Sequence, residues 1–317
     1  MTAEEVTTAY RLLLGRPPES PEVIEAHRHA HASLEAFGDA LRASDEYRRR
    51  QPVLPEMPPP LDAPPQRGEV TTDAETLADI LTNLARYWSE IGTQAPHWSV
   101  LTEKRFLPDN IEAHRDTFFG SGGWDVRVLE ATLARIGRNF SEFRHGVDYG
   151  CGVGRITVHL AERLPRLTGV DISAPHLTLA AEELQRRGHS HVGLAQARVD
   201  RLMPVPGCDL WYSRIVLQHN PPPVIMEILR QAFTALHPGG VAVFQVPTYI
   251  RGYAFNVAGY LADEPGTLME MHAVPQAAVL ALADSHGCVL RDIREDSAVV
   301  GRPGEALSNT FAFEKRR

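Results

Sequence analysis

An apolar run, His145-Gly146-Val147-Asp148-Tyr149, breaks into Gly150-Cys151-Gly152-Val153-Gly154, and Arg155 then leads into a helical pattern over Ile156 to Leu164. Glycines at alternate positions let a strand turn tightly into a helix and bring bare backbone against a ligand. The start of the helix adds unpaired amides and a partial positive charge, so the loop suits a carboxylate- or phosphate-bearing ligand. Two acids refine that expectation. Asp148 lies inside the strand end, where a carboxylate suits a cationic group such as an ammonium or a sulfonium. Asp171 ends the next apolar run, 17 residues after Gly154, and an acid at the tip of a second strand suits a ribose diol.

Three ligand classes compete for such a loop. A phosphate-binding loop ends in Gly-Lys followed by Ser or Thr, whereas Gly154 is followed by Arg155 and Ile156. A nicotinamide or flavin fingerprint spaces its glycines G-x-G-x-x-G, and here the spacing is G-x-G-x-G. The third class, a nucleoside carrying a charged side chain, fits both acids.

The loop needs a scaffold, and the chain from residue 145 provides one. Candidate strands are His145–Tyr149, Leu167–Asp171, His191–Gln196, Asp209–Ser213, Val241–Val246, Cys288–Ile293 and Thr310–Glu314, with helical patterns between most of them. This alternation predicts an α/β fold, a doubly wound Rossmann-like sheet of seven mostly parallel strands. The last two strands form a candidate antiparallel pair at one edge. Upstream, Thr72 to Glu75 reads as a capping box. Leu77, Ile80, Leu81, Leu84, Trp88 and Ile91 then mark an amphipathic helix. Residues 94–124 are dense in aromatics (Trp98, Phe106, Phe118, Phe119, Trp124), which serve burial or wall a cavity.

Residues 51–70 are proline-rich and predict an extended linker, with seven prolines between positions 51 and 68. Before it, residues 1–50 form a small all-helical module whose face is set by Val6, Tyr10, Leu13 and Leu14. His27 and His31 stand four apart, a spacing that can hold a metal, but no third ligand is near in sequence, so a solvated face is the plainer reading. The catalytic unit is then 71–317, with 71–144 as a helical extension and 247–274 as a lid insertion.

The chain of 317 residues has 43% hydrophobic and 23% charged residues, which excludes a disordered chain or a coiled-coil rod. Forty acids against 32 bases give a net charge of −8, a poor match to nucleic acid. Cys151, Cys208 and Cys288 form neither a disulfide framework nor a metal cluster. The N-terminus lacks the basic and apolar pattern of a secretion signal, and no apolar run is long enough to span a bilayer. A cytoplasmic location is expected.

Asp148 to Gly154 resembles motif I of class I S-adenosylmethionine-dependent methyltransferases. Leu167 to Ser173 resembles their second strand with its acid, Cys208 to Ser213 their fourth strand, and Leu236-His237-Pro238-Gly239-Gly240 the turn before their fifth. The resemblance covers roughly residues 140–317. It implies S-adenosyl-L-methionine as cofactor, with Gly150, Cys151, Gly152 and Gly154 along its methionine part and ribose. Asp148 then stands near the amino group or helps shape the loop, Asp171 on the ribose hydroxyls, and Ile172 and His176 near the adenine. Asp200, after the third strand, and Ser213, at the end of the fourth, complete the implied cofactor set. Separately, Ala9 to Pro17 and Ser44 to Tyr47 resemble the DUF4214 family of helical modules, members of which are often appended to bacterial enzymes of cell-surface glycan synthesis.

The segment after the fourth strand narrows the acceptor. Asn220-Pro221-Pro222 mimics the motif of amino methyltransferases but sits six residues too late and lacks its aromatic, so Asn220 reads as a helix cap. Ser213-Arg214-Ile215 carries no metal-binding acids, so no catalytic metal is expected. His219 is the leading candidate base, and His272 the second. Tyr249, Arg251 and Tyr253 are candidate acceptor-binding residues on the lid. The leading expectation is methylation of a hydroxyl on a glycan or other small molecule. N- or C-methylation, a non-catalytic cofactor-binding scaffold and a nicotinamide oxidoreductase are the alternatives. Residues 1–50 are the candidate surface for a protein partner.

Overall fold

The computed structural model describes residues 1–50, 64–262, 269–297 and 305–317. The chain separates into two compact units, residues 1–56 and 57–317.

The first unit contains α1 (Ala3–Leu14), α2 (Pro21–Ala30), α3 (Leu34–Ala43) and α4 (Asp45–Arg50). Thr2 and Glu5 form a capping box at the start of α1, and Gly15 ends it in the left-handed conformation. Val6, Tyr10 and Leu14 bury against Phe37 and Leu41. His27 hydrogen bonds the Tyr10 hydroxyl at 2.9 Å, and its ring packs 4.7 Å from Phe37. That pairing draws His27 partly inside, in place of the solvated face expected for it. Among the described residues no three potential ligands gather to hold a metal.

The second unit runs β1 (Arg67–Gly68), α5 (Ala74–Gln94), α6 (Ile111–Arg135), β2 (Gly146–Tyr149), α7 (Thr157–Leu160), β3 (Leu167–Asp171), α8 (Ala174–Arg186), β4 (Val192–Gln196) and β5 (Cys208–Ser213). It continues with α9 (Pro222–Ala235), β6 (Leu236–Ile250), β7 (Ala254–Phe255), α10 (Val257–Ala262), α11 (Gln276–Ser285), β8 (Cys288–Glu295) and β9 (Ala306–Lys315). Seven strands form one sheet in the order β4-β3-β2-β5-β6-β9-β8. The first five are parallel; β9 runs antiparallel to both β6 and β8. The two-residue alternation of a strand explains the double winding. Trp211 and Phe244 share one apolar cluster with Ile80 of α5, Ile225 of α9 and Val279 of α11. Their neighbours Tyr212 and Val243 share another with Leu129 of α6 and Leu160. The sheet is thus covered on both faces, as a mostly parallel sheet requires.

Several boundaries differ from the sequence reading. The cap of α5 is Asp73, one residue later than expected, because its carboxylate accepts from the Thr76 amide. The helix expected over Ile156 to Leu164 is regular only to Leu160; Leu164 precedes Pro165, which disfavours helical geometry there. Asn220 does not cap α9; its side chain donates to the Val216 carbonyl. The last two strands do form the antiparallel pair expected at one edge, with β8 outermost. Residues 247–250 extend β6 and do not belong to a lid. At the linker end, β1 pairs with β7, and the Gln66 side chain bonds the Tyr253 carbonyl and the Ile250 amide. Part of the lid, residues 263–268, lies outside the described residues, as does most of the linker.

α8 is anchored by Glu183, which is fully buried yet ion-paired to Arg115, Arg186 and Arg187. Burial alone would raise its pKa; the three guanidiniums outweigh that and carry it down to about 2. Replacing Glu183 with Gln is expected to cost about 1–3 kcal/mol at neutral pH, since three cations lose their shared anion. The group's contribution is fully present above its unfolded pKa and vanishes as pH falls through its folded one. The gap in melting temperature between wild type and Glu183→Gln should therefore be wide at pH 7 and close progressively below about pH 4.

Candidate active site

The glycine loop is suspended from the second strand of the parallel set. The amides of Gly150 and Cys151 both donate to the Val170 carbonyl, at 2.7 and 3.0 Å. Gly150 has φ +74°, and a Cβ there would stand 2.3 Å from the Val216 side chain. Only glycine combines that conformation with that approach. Asp171 fastens the loop further: one carboxylate oxygen accepts from Gly152 N at 2.8 Å and the other from Ser173 N at 2.9 Å. The loop and the start of α8 are thereby held on one carboxylate.

A cavity lies above this loop, its empty space about 970 Å³ with the open solvent at its mouth included. Most of its walls come from three regions. The loop and strand ends contribute Asp148, Gly150, Cys151, Gly152, Asp171 and Ile172, and α8 adds His176. The segment after β5 adds Arg214, Ile215, Val216, His219 and Asn220. The helical extension supplies Leu81, Trp88, Ser99 and Val100. These walls lie at the carboxyl ends of the parallel strands, where open α/β sheets bind ligands.

Asp148 is buried and accepts a hydrogen bond from the Thr157 hydroxyl at 2.7 Å. Burial raises its pKa to about 6. His176 is buried as well; its Nε2 lies 2.8 Å from the Ser99 hydroxyl, while its Nδ1 has no hydrogen-bond partner among the described residues. His219 turns Nδ1 to the Glu270 carbonyl at 2.9 Å, and the Gln218 side-chain amide approaches Nε2 at 3.2 Å. Burial lowers the pKa of His219, so the ring is neutral at neutral pH with its lone pair on Nε2.

The cavity does not gather every residue expected from the sequence. Gly154 packs on Ala180 of α8 and does not face the cavity. Ser213 is spent inside the sheet, its hydroxyl donating to the Tyr149 carbonyl at 3.0 Å. Asp200 projects outward, 74% exposed and paired with Arg198; Leu202 lines the cavity in its place. Tyr249, Arg251 and Tyr253 are not among the lining residues. Nor is His272, which stands behind His219 between the Tyr253 hydroxyl and the Glu270 carboxylate, at 2.8 and 3.0 Å.

Two arginines that the sequence reading passed over also line the cavity. Arg155 and Arg214 share the carboxylate of Asp125 on α6, at 2.6 and 2.7 Å, and Arg214 also pairs with Asp296. Arg155, Asp125 and Arg214 are each less than a tenth exposed. The sequence signal was a basic residue placed at the end of the glycine loop and another at the end of β5, where a buried strand has no reason to carry charge. Trp88, Ser99 and Gln218 left no such signal.

Residues 147–240 match a family model described as a methyltransferase domain. The segment runs from the second residue of β2 to the turn that opens β6. Trans-aconitate 2-methyltransferase of Paracidovorax citrulli is 37% identical over 130 residues, covering 38% of this chain and 45% of that protein. The chain spans about half the length of the first curated relatives it matches. The probable cobalt-precorrin-6B C(15)-methyltransferase of Methanothermobacter thermautotrophicus is 29% identical over 181 residues, covering 51% of this chain and 90% of that one. Among solved structures, magnesium protoporphyrin IX methyltransferase from Synechocystis PCC 6803 shares the fold, with a TM-score of 0.51 and 16% identity, covering 74% of this chain and 99% of that one. The sheet order is Rossmann-like, and residues 147–240 within it are similar to a methyltransferase domain.

Asp148 offers a direct check on the site's electrostatics. A carboxyl whose folded pKa lies above its unfolded value destabilises the fold increasingly as pH rises through that interval. Asp148→Asn should therefore melt at a higher temperature than wild type at pH 7, by a stability gain of up to about 3 kcal/mol, and the gain should shrink to little at pH 4. Equal stability of the two proteins at pH 7 would show that Asp148 is ionised without cost.

Proposed function

We propose that this protein is an S-adenosyl-L-methionine-dependent methyltransferase that methylates an oxygen of a small-molecule acceptor. The observation that carries the reading is the glycine loop bound to Asp171 at the floor of a large cavity. The chain's residues fit the cofactor. Gly150 and Gly152 present backbone to the cavity, Asp171 presents fixed carboxylate oxygens for a diol, and Ile172 and His176 line the wall beside it where a heteroaromatic ring would lie. Asp148 supplies a carboxyl near the first turn for a cationic group. Bound there, the cofactor supplies an activated methyl group. Trp88, Leu81, Val224 and Ile228 line the cavity with apolar surface that keeps water out, and alignment in such a site carries most of the rate.

Two acceptor readings arise from different observations. An acceptor hydroxyl needs a proton acceptor, and the Nε2 lone pair of His219 can take that proton by exchanging the Gln218 amide. The resemblance of residues 1–50 to modules of glycan enzymes supports a sugar hydroxyl. Against it stand Arg155 and Arg214, which suit an acceptor bearing a carboxylate, as the name of trans-aconitate 2-methyltransferase indicates for that relative. A carboxylate is ionised at neutral pH and needs no base. His219→Ala separates the two: turnover of a hydroxyl acceptor should fall about 10²–10⁴-fold, while that of a carboxylate acceptor should stay within about tenfold. Among the described residues no helix is long and apolar enough to cross a membrane, and a freely diffusing acceptor is consistent with that.

Calorimetric titration of S-adenosylhomocysteine tests the cofactor assignment. Micromolar binding to wild type, weakened about tenfold or more in Asp171→Ala (about 1.4 kcal/mol), is the expected result. Absence of binding to wild type would sink the reading. At pH 6, placing the ligand's ammonium beside Asp148 should drive a proton off that carboxyl, so the apparent binding enthalpy should vary with the ionisation enthalpy of the buffer.

A further inference from the structure

We propose that Gln245 is a positioning residue for the methyl transfer: its carboxamide holds the turn at Ile215 against the glycine loop and sets which nitrogen of His219 carries the proton. The proposal deepens the methyltransferase reading and rests on it. Ile215 follows β5 and has φ +58°, the one non-glycine residue with positive φ among those described. A β-branched side chain disfavours that conformation, so something must hold it there. Its neighbour Val216 is the residue that stands over Gly150. The strained turn therefore shapes the wall opposite the loop.

The hold is a hydrogen bond from Ile215 N to Gln245 Oε1, at 3.1 Å. A backbone amide can only donate, so this contact fixes the orientation of the whole carboxamide. Gln245 Nε2 then donates to Gln218 Oε1 at 3.0 Å and to the Ser308 hydroxyl at 2.6 Å. Gln218, its oxygen thus engaged, turns its own Nε2 to Nε2 of His219. At the other side of the imidazole, the Glu270 carbonyl can only accept, which requires the proton on Nδ1. A backbone donor at one end and a backbone acceptor at the other demand the same direction throughout. Gln245 and Gln218 are both buried, so water does not substitute for a missing member.

Three variants of the full chain test this. Gln245→Leu removes the hold, and S-adenosylhomocysteine should bind it about tenfold more weakly than wild type. Adding Ile215→Gly to that variant should recover at least about threefold of the loss, since glycine takes the left-handed conformation unaided. Gln245→Glu keeps an acceptor for Ile215 N but sets a carboxylate oxygen against Gln218 Oε1. The Gln218 amide must then reverse, presenting its oxygen to His219 Nε2 and favouring the doubly protonated ring. The groups facing that ring are Gln218, the Glu270 carbonyl, Trp88 and His272; none of them is substituted, and of these the variant reorients the Gln218 amide. The midpoint of the His219 titration, followed by NMR of the ring, should rise by about one pH unit or more. Binding of Gln245→Leu within about twofold of wild type, or an unmoved His219 titration in Gln245→Glu, would overturn the proposal. If Gln245→Leu does not fold, the titration decides alone. Failure of wild type to bind the probe would count against the methyltransferase reading, while the titration would still judge the clamp.

Discussion

The site depends on the carboxylate of Asp171. Two backbone amides, one from the glycine loop and one from the start of α8, converge on its two oxygens. Charge-assisted bonds of this kind are stronger than neutral ones, and here they join elements that the chain would otherwise leave independent. The loop cannot drift from the helix, and the helix brings His176 to the cavity. Gly92 completes the arrangement from α5: a Cβ there would stand 2.6 Å from the Ser173 hydroxyl and 2.8 Å from His176 Nδ1. Close helix packing thus protects the same corner that the acid organises.

Opposite this corner, the cavity is bounded by charge. Arg155, Asp125, Arg214 and Asp296 alternate in sign, joining the end of the glycine loop, α6, the end of β5 and the end of β8. Buried ion pairs add little net stability compared with apolar packing, but losing one member leaves an uncompensated charge. Their value here lies in geometry. Four separate elements are held in register by directional bonds beneath a cavity that must keep its shape.

The scaffold was legible in the sequence because its signals are local. Short apolar runs between helical patterns marked all seven strands of the sheet, and the alternate glycines with Asp148 and Asp171 marked the cavity floor. Ile172 and His176, which the resemblance implied, line the cavity too. What escaped depends on contacts across the fold. Ser213 and Asp200 sit at plausible positions along the chain, but one points into the sheet and the other into solvent, a difference a single residue of register decides. Tyr249 falls on a strand that outlasts its predicted end. Gln245 is invisible from sequence because nothing in Phe244-Gln245-Val246 indicates that its partners are an amide 30 residues earlier and a hydroxyl 63 residues later.

The pairing of β1 with β7 joins residues nearly two hundred positions apart with a ladder of only two residues. Glu69 adds to it, its amide bonding the Phe255 carbonyl and its carboxylate the Val257 amide. Closing so large a loop for so few bonds rewards the chain last and least. Segments of that kind open well below the free energy of global unfolding. Among the described residues, the ties to the second unit begin at Gln66, within the stretch that composition assigns to the linker. A chain trimmed at residue 70 would retain every strand of the main sheet and lose the strand that pairs with Ala254 and Phe255.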